Sequence, residues 1–335
     1  MKIYNDYLSV IAEAMKHDPK SHPLNENLRS DDQFFSKAMT YEELNNRIPS
    51  NKLQPGLQTF SKELGLAPDF AQKLGLHPDF AHLKASNGIE KHYIVSMFVD
   101  IKGSTNLFRK YTPETVLVIT NTIQRAAIHT CLVLGGYVHR LQGDGLFVYF
   151  GGRNIPIAEA VQRALIFSSV FTYFVKTDLK KLFDEQGIDA IFTRIGIDLG
   201  YEDDVVWSLA GIGEISEVTT CSLHTSLASK MQGSAQSNGI VVGDHIVKEV
   251  PMALNDHFTP VCKRTGNEND RYIYQIPDQS FNYTQYDFFW LSFLKKQDFV
   301  ATDLTGNIFL KQKPTAFVST ASLKTLASSN KPYSK

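Results

Sequence analysis

The triplet Gly143-Asp144-Gly145 stands between two runs rich in aromatic and aliphatic residues, 136–142 and 146–150. Glycine on either side of an aspartate supplies the tight turn that joins two antiparallel strands, so residues 135–150 are expected to fold as a hairpin with a carboxylate at its tip. Strand side chains alternate between faces, which puts Arg140, Gln142 and Asp144 on one face if the strand stays regular. That face is too polar for a core and suits a solvated groove.

A second carboxylate lies upstream. The apolar run from His92 to Val99 ends in Asp100, followed by Ile101-Lys102-Gly103-Ser104-Thr105 and then an amphipathic helix. A buried strand that delivers an aspartate to its C-terminal edge, with backbone N–H groups opening a helix behind it, is a natural site for a metal and a phosphate. Turn propensity alone is the competing explanation for such an aspartate. Asp100 and Asp144 together are able to share a pair of divalent cations.

The remaining chain bounds the setting. Its 335 residues, 43% hydrophobic and 11% aromatic, suffice for one large domain, or a medium one with extensions. A net charge of −1 gives no electrostatic case for duplex DNA or an anionic membrane, so neither nucleic acid nor membrane is expected as a partner. Cys131, Cys221 and Cys262 include no CxxC pair and are read as small buried hydrophobes rather than zinc ligands. No N-terminal signal is visible, the longest uncharged helical run (164–175) is too short to span a bilayer, and a cytoplasmic location is expected.

Along the chain, residues 1–90 read as a polar helical extension. Thr40-Tyr41-Glu42-Glu43 fits a capping box. Residues 64–71 are echoed ten positions later by 74–81, a repeat expected to form two short helical turns packed on the main domain. Strands then alternate with long helices: helices over 112–134, 157–183, 219–231 and 244–250, and strands over 190–198, 205–210, 239–242 and 271–276. The acidic turn Glu202-Asp203-Asp204 reads as a solvated loop rather than a ligand set. This pattern predicts an α/β fold, an α+β sandwich with adjacent antiparallel strands flanked by helices. The aromatic segment 281–299 reads as core or interface, and Ser319–Lys335 as a disordered tail.

Four pieces in order, 98–105 (FVDIKGST), 135–145 (GGYVHRLQGDG), 194–200 (RIGIDLG) and 228–231 (ASKM), resemble the catalytic domain of the class III nucleotide cyclases, the adenylyl/guanylyl cyclase family. The resemblance covers about residues 92–276. It implies a mainly antiparallel sheet flanked by helices over 91–277, with the N-terminal extension before it and a C-terminal extension over 278–335. It also implies that Asp100 and Asp144, with the carbonyl of Ile101, hold two Mg²⁺ or Mn²⁺ ions. Amides of Gly103, Ser104 and Thr105 would then cradle the β- and γ-phosphates, with Arg194 a further phosphate contact. Lys230 takes the place of the family's transition-state arginine; it keeps the charge but loses the bidentate fork. Ser226 stands where the family commonly has a ribose-orienting asparagine. Lys263, Arg264 and Arg271 are all candidates for the lysine that closes the phosphate site. Since the two residue sets come from different subunits in the family, the resemblance implies a homodimer with composite sites.

Arg140 and Thr219 occupy the family's base-reading positions, and neither matches an adenine or a guanine reader. An arginine donor and a threonine hydroxyl suit a carbonyl-rich base, which favours UTP and cyclic UMP and leaves CTP open. With the helical N-terminal residues and the short C-terminal segment, the pattern is similar to the bacterial Pycsar pyrimidine cyclases. That resemblance implies a uridylate cyclase of anti-phage defence whose cyclic product activates a separate effector. A divergent adenylate cyclase and an inactive, nucleotide-binding cyclase-like module are the alternatives.

Overall fold

A computed structural model describes residues 1–21 and 38–311. The tail expected over Ser319–Lys335 lies outside the described residues. Helices α1 (Asn5–Lys16), α2 (Tyr41–Arg47), α3 (Pro55–Leu64) and α4 (Leu83–Ser86) lead into strands β1 (Ile89–Lys91) and β2 (Ile94–Lys102). There follow α5 (Leu107–Lys110), α6 (Pro113–Val133), the hairpin β3 (Tyr137–Gln142) and β4 (Gly145–Phe150), α7 (Ile157–Tyr173) and α8 (Lys180–Glu185). The second half runs β5 (Phe192–Gly200), β6 (Val205–Ile212), β7 (Ile215–Ser222), α9 (Leu223–Ser234), β8 (Gly239–Gly243) and α10 (Asp244–Glu249). It continues through β9 (Phe258–Pro260), α11 (Cys262–Thr265), β10 (Tyr272–Ile276), β11 (Phe281–Phe288), α12 (Trp290–Lys295), β12 (Val300–Thr302) and β13 (Ile308–Leu310).

The main sheet runs β10–β11–β8–β5–β2–β4–β3, with β9 also paired to β11. Every neighbouring pair is antiparallel except β5–β8. Such a sheet flanked by helices is the mixed α/β architecture expected from the sequence. A smaller sheet, β1–β6–β7, stands beside it. One face of β2, carrying Val95, Met97, Val99 and Ile101, joins a core built with α6, α7 and the N-terminal helices. Tyr7 and Tyr4 of the N-terminal segment hydrogen-bond His129 and Thr130 of α6 at 2.7 and 2.8 Å. Helix α9 covers the opposite face.

Local chemistry explains several boundaries. Thr40 caps α2 through the expected box: its hydroxyl accepts from Glu43 N–H at 3.2 Å, and Glu43 accepts from Thr40 N–H at 2.6 Å. Thr112 caps α6, Pro113 sits at its first position, and Gly135 follows its end at φ 71°. β3 keeps its outer edge against residues 72–75: Gly75 N–H donates to His139 O at 2.9 Å, and Val218 N–H of β7 donates to Gly75 O at 2.8 Å.

Several expectations need correction. Thr219 does not start a helix. Val218-Thr219-Thr220-Cys221 form the last part of β7, and the helix begins only at Leu223, capped by Ser222, whose hydroxyl accepts from His224 N–H. The β-branched run, paired in register with β6, outweighs helical spacing there. The segment 281–299 supplies β11, a strand within the main sheet, so 271–276 is not the last strand. Only the second copy of the repeat makes a helical turn of its own, at Pro78–Phe80; the first begins at Leu64, the last residue of α3, and Gly65 ends that helix at φ 68°. Phe80 stacks on Trp207 at 4.1 Å. Asp100 lies inside β2, which runs on to Lys102. Cys221 is exposed, while Cys131 and Cys262 are buried. Among the described residues, Pro113–Val133 is one helix long and apolar enough to cross a membrane, and 67% of its 18-residue apolar window is buried within the fold.

Candidate active site

The hairpin brings its aspartate up against β2. Val99 pairs with Leu146, so Gly145 falls opposite Asp100. A side chain at Gly145 would strike the carbonyl of Val99 and stand 3.4 Å from Asp100 Cα. Only a glycine lets the turn close this tightly on the strand. Asp144 is half-buried, and its Oδ2 is shielded from solvent with no hydrogen-bond partner among the described residues. Burial raises its carboxyl above the usual carboxylate range; the Ser104 side chain and the backbone pull it back, while the charge of Asp100 pushes it up further.

Asp100 is held from the neighbouring strand. Arg194, its register partner on β5, donates from Nε at 3.1 Å and Nη2 at 2.5 Å to Oδ2. Gln232 of α9 donates to the same oxygen at 3.3 Å. Gly196 makes that approach possible, since a Cβ there would overlap the carbonyl of Ala228 and the amide of Gln232. Ile101, near the end of β2, is buried; after the strand Gly103 turns at φ 94°, and Ser104–Asn106 forms a single 3₁₀ turn. The structure thus gathers Asp100, Asp144, Ser104 and Arg194 at one end of the sheet.

The other expected site residues lie elsewhere in the chain. Arg140, exposed near the end of β3, donates from Nε to Glu217 on β7 at 2.6 Å, and its Nη2 meets the same carboxylate. Thr219 is engaged by His139 Nε2 at 3.0 Å and lies 3.5 Å from the Tyr149 hydroxyl. Gln142 is exposed at the end of β3. Thr219 and Ser226 share an open groove of about 610 Å³ between the β6–β7 hairpin and α9. Lys230 is exposed on α9, its Nζ 5.8 Å from the centre of the Tyr274 ring of β10.

Helix α9 explains this separation. Its Thr225 hydroxyl meets Ser96 at 2.8 Å, and its Gln232 meets Asp100. Ser96 and Asp100 are four residues apart on β2, about 13 Å along a strand. One chain therefore leaves the groove with Thr219 and Ser226 well down the strand from the two aspartates. Lys263 faces Glu268 at 3.7 Å, Arg264 donates to Asp287 at 2.7 Å, and Arg271 lies against the Tyr272 ring.

Sequence reasoning missed Gln232 and Glu217. Ala228 and Gln232 are four residues apart and share a helix face, and Gly196 on β5 marks where such a face packs closest. Glu217 is one strand-face partner from Thr219 on β7, legible only once β7 is recognised as a strand.

No family model matches the chain. A cytidylate cyclase from Staphylococcus aureus is 37% identical over 217 residues, 64% of this chain and 48% of that protein. A cytidylate cyclase from Escherichia coli is 34% identical over 216 residues, 61% of this chain and 45% of that one. The chain thus spans about half the length of the curated relatives it matches. Among solved structures, the adenylyl cyclase CyaB from P. aeruginosa is 18% identical, with a TM-score of 0.48, over 60% of this chain and 95% of that one. The guanylyl cyclase Cya2 is 17% identical, with a TM-score of 0.47, over 60% and 93%. The resemblance to nucleotide cyclases first carried by four short motifs is matched along most of the chain's length in proteins named cytidylate cyclases.

Proposed function

We propose that the chain is a nucleotide cyclase that converts a pyrimidine nucleoside triphosphate, CTP ahead of UTP, to the 3′,5′-cyclic monophosphate and pyrophosphate. The observation that carries this reading is the buried, unpartnered Oδ2 of Asp144 beside Asp100. A shielded carboxylate oxygen without a donor is costly unless something positive comes to it. Oxygen-only donors, Asp100, Asp144 and the Ile101 carbonyl, fit hard divalent cations. Bound there, two Mg²⁺ or Mn²⁺ ions would lower the pKa of the substrate's 3′-hydroxyl and offset the triphosphate charge.

The chain's own residues would do the rest. Gly103, Ser104 and Thr105 turn backbone N–H groups toward the β- and γ-phosphates, and Arg194 adds a cation beside them. The 3′-oxygen then attacks the α-phosphorus in line, a P–O bond to pyrophosphate breaks, and the ring closes. Thr219 and Ser226 lie in the groove at the start of α9, about 13 Å along β2 from the aspartates of the same chain, and Lys230 is exposed on α9 beside the Tyr274 ring. This placement supports a homodimer in which those residues serve the partner's aspartates.

The choice of CTP rests on the names of the relatives. The sequence-level preference for UTP treats Arg140 and Thr219 as free to read the base, whereas both are engaged by neighbours. By the same resemblance, the cyclic product would signal to a separate effector in bacterial anti-phage defence; a rise of that product on phage infection is the corresponding check.

Incubation of the full chain with each of the four nucleoside triphosphates and Mn²⁺, with products identified by mass spectrometry, tests the reading. Cyclic CMP is the expected product. Cyclic UMP alone would restore the uracil preference, and cyclic AMP alone would end the pyrimidine assignment. Tight nucleotide binding with no turnover would point to a regulatory module.

A further inference from the structure

The acidic turn read as solvated loop divides into two fates. Asp203 is almost fully exposed and pairs with Lys91 at 3.0 Å. Asp204 instead turns toward two imidazoles, His224 in the first turn of α9 and His245 in the first turn of α10. One donor atom from each of these three residues lies within 4.8 Å of the other two. His224 Nε2 is 3.7 Å from Asp204 Oδ2, and the two rings lie 4.4 Å apart at 32°.

The outer partners of the rings decide which nitrogen each presents. His245 Nδ1 is 2.9 Å from the carbonyl of Leu199. A carbonyl only accepts, so Nδ1 carries the proton and Nε2 presents a lone pair. His224 Nδ1 is 2.9 Å from Oδ2 of the wholly buried Asp198. Asp198 is itself fixed, since its Oδ1 accepts from the Tyr283 hydroxyl at 2.8 Å and from Leu199 N–H at 2.9 Å. Gly243 makes room for that carboxylate, because a Cβ there would overlap Oδ1. A carboxylate behind one histidine and a backbone carbonyl behind the other form the second shell that orients imidazoles for a metal.

We propose that Asp204, His224 and His245 bind one Zn²⁺ ion, with water in the fourth position. Zinc bonds of about 2.0–2.1 Å place tetrahedral donors about 3.4 Å apart, close to the 3.7 Å already present between His224 and Asp204. Exposed Asp204 has the freedom to close the remaining gap. Two imidazoles and one carboxylate select a borderline ion over Mg²⁺ or Ca²⁺, the opposite preference from the oxygen-only pair Asp100 and Asp144. The ion would tie the β5–β6 turn to the starts of α9 and α10, and so brace the far end of the helix whose Gln232 touches Asp100.

The test uses the full chain stripped with a chelator and then titrated with Zn²⁺, in an Asp100→Asn/Asp144→Asn background so that the carboxylate pair does not contribute. One equivalent of Zn²⁺ per chain and a rise in melting temperature are expected, with Mg²⁺ failing to compete. Co²⁺ in its place should give the intense visible absorption of a tetrahedral site. Adding Asp204→Ala and His245→Gln, both outside the core, should weaken Zn²⁺ more than about 100-fold and remove the Co²⁺ band, with circular dichroism unchanged. Equal Zn²⁺ affinity in parent and variant, or no uptake by the folded parent, would overturn the proposal.

Discussion

Arg194 and Gln232 converge on one oxygen of Asp100: three hydrogen bonds, from Nε and Nη2 of the arginine and from the glutamine amide, end on Oδ2. Among the described residues no hydrogen bond reaches Oδ1, which leaves that atom for a ligand. Asp100 is thus clamped on one side and open on the other. Arg194→Ala should therefore release Oδ2. The pair is partly exposed and worth at most about 1 kcal/mol of stability. The Mn²⁺ concentration for half-maximal activity should fall, while KM for the nucleotide rises because a phosphate contact is lost. Steady-state kinetics over a Mn²⁺ series reads both, and a raised Mn²⁺ midpoint would contradict the clamp.

Asp144→Asn separates chemistry from folding. It neutralises a half-buried carboxylate whose Oδ2 has no donor among the described residues, so the melting temperature should hold or rise. Turnover should fall by about two to four orders of magnitude, the loss of about 3–5 kcal/mol of cation-borne stabilisation. Calorimetry and a pyrophosphate-release assay on one preparation check both halves.

Arg140→Ala should leave base choice nearly unchanged. The guanidinium is engaged by Glu217, and an exposed pair of this kind contributes less than about 1 kcal/mol. The ratio of CTP to UTP turnover is the measurement; a large swing toward one base would mean that Arg140 leaves Glu217 when substrate binds.

Gly196→Ala should damage fold and site together. A methyl group meets the backbone of α9 at Ala228 and Gln232, an overpacking cost of about 1–3 kcal/mol. As α9 is pushed off, Gln232 loses Asp100. Denaturant titration and turnover should decline in parallel.

Stability should fall in acid. Burial holds His77 and His129 down at about 4 and His139 at about 3, against 6.5 for a free imidazole. Below pH 6.5 the unfolded chain takes up protons that the folded chain refuses. The stabilisation is therefore complete above about pH 6.5 and drains away as pH drops toward 4. Melting temperature against pH tests the sign, and His129→Gln should flatten the slope.

Much of the architecture is legible in the sequence. The hairpin at Asp144, the capped helix behind Pro113 and the strand through Asp100 each rest on local rules, glycine turns, proline at a helix start and apolar alternation. The failures share a cause. Helical spacing puts Thr219 on a helix, yet its neighbours are β-branched and its partner strand β6 is apparent only in three dimensions. Phe281–Phe288 looked like an aromatic stripe because nothing local says that such a run lies beside β8 and β10. Pairings such as Arg140 with Glu217 or Gln232 with Asp100 join residues 77 and 132 positions apart, and no short-range signal reports them.

The loop that carries the second copy of the repeat ends up stitching two sheets. Gly75 gives its N–H to β3 and its carbonyl to β7, so a stretch with no chemistry of its own shields the unpaired margin of the strand that leads to Asp144. A chain trimmed to begin at residue 91 would bare that margin. It should self-associate through strand-to-strand pairing rather than behave as a minimal catalytic unit.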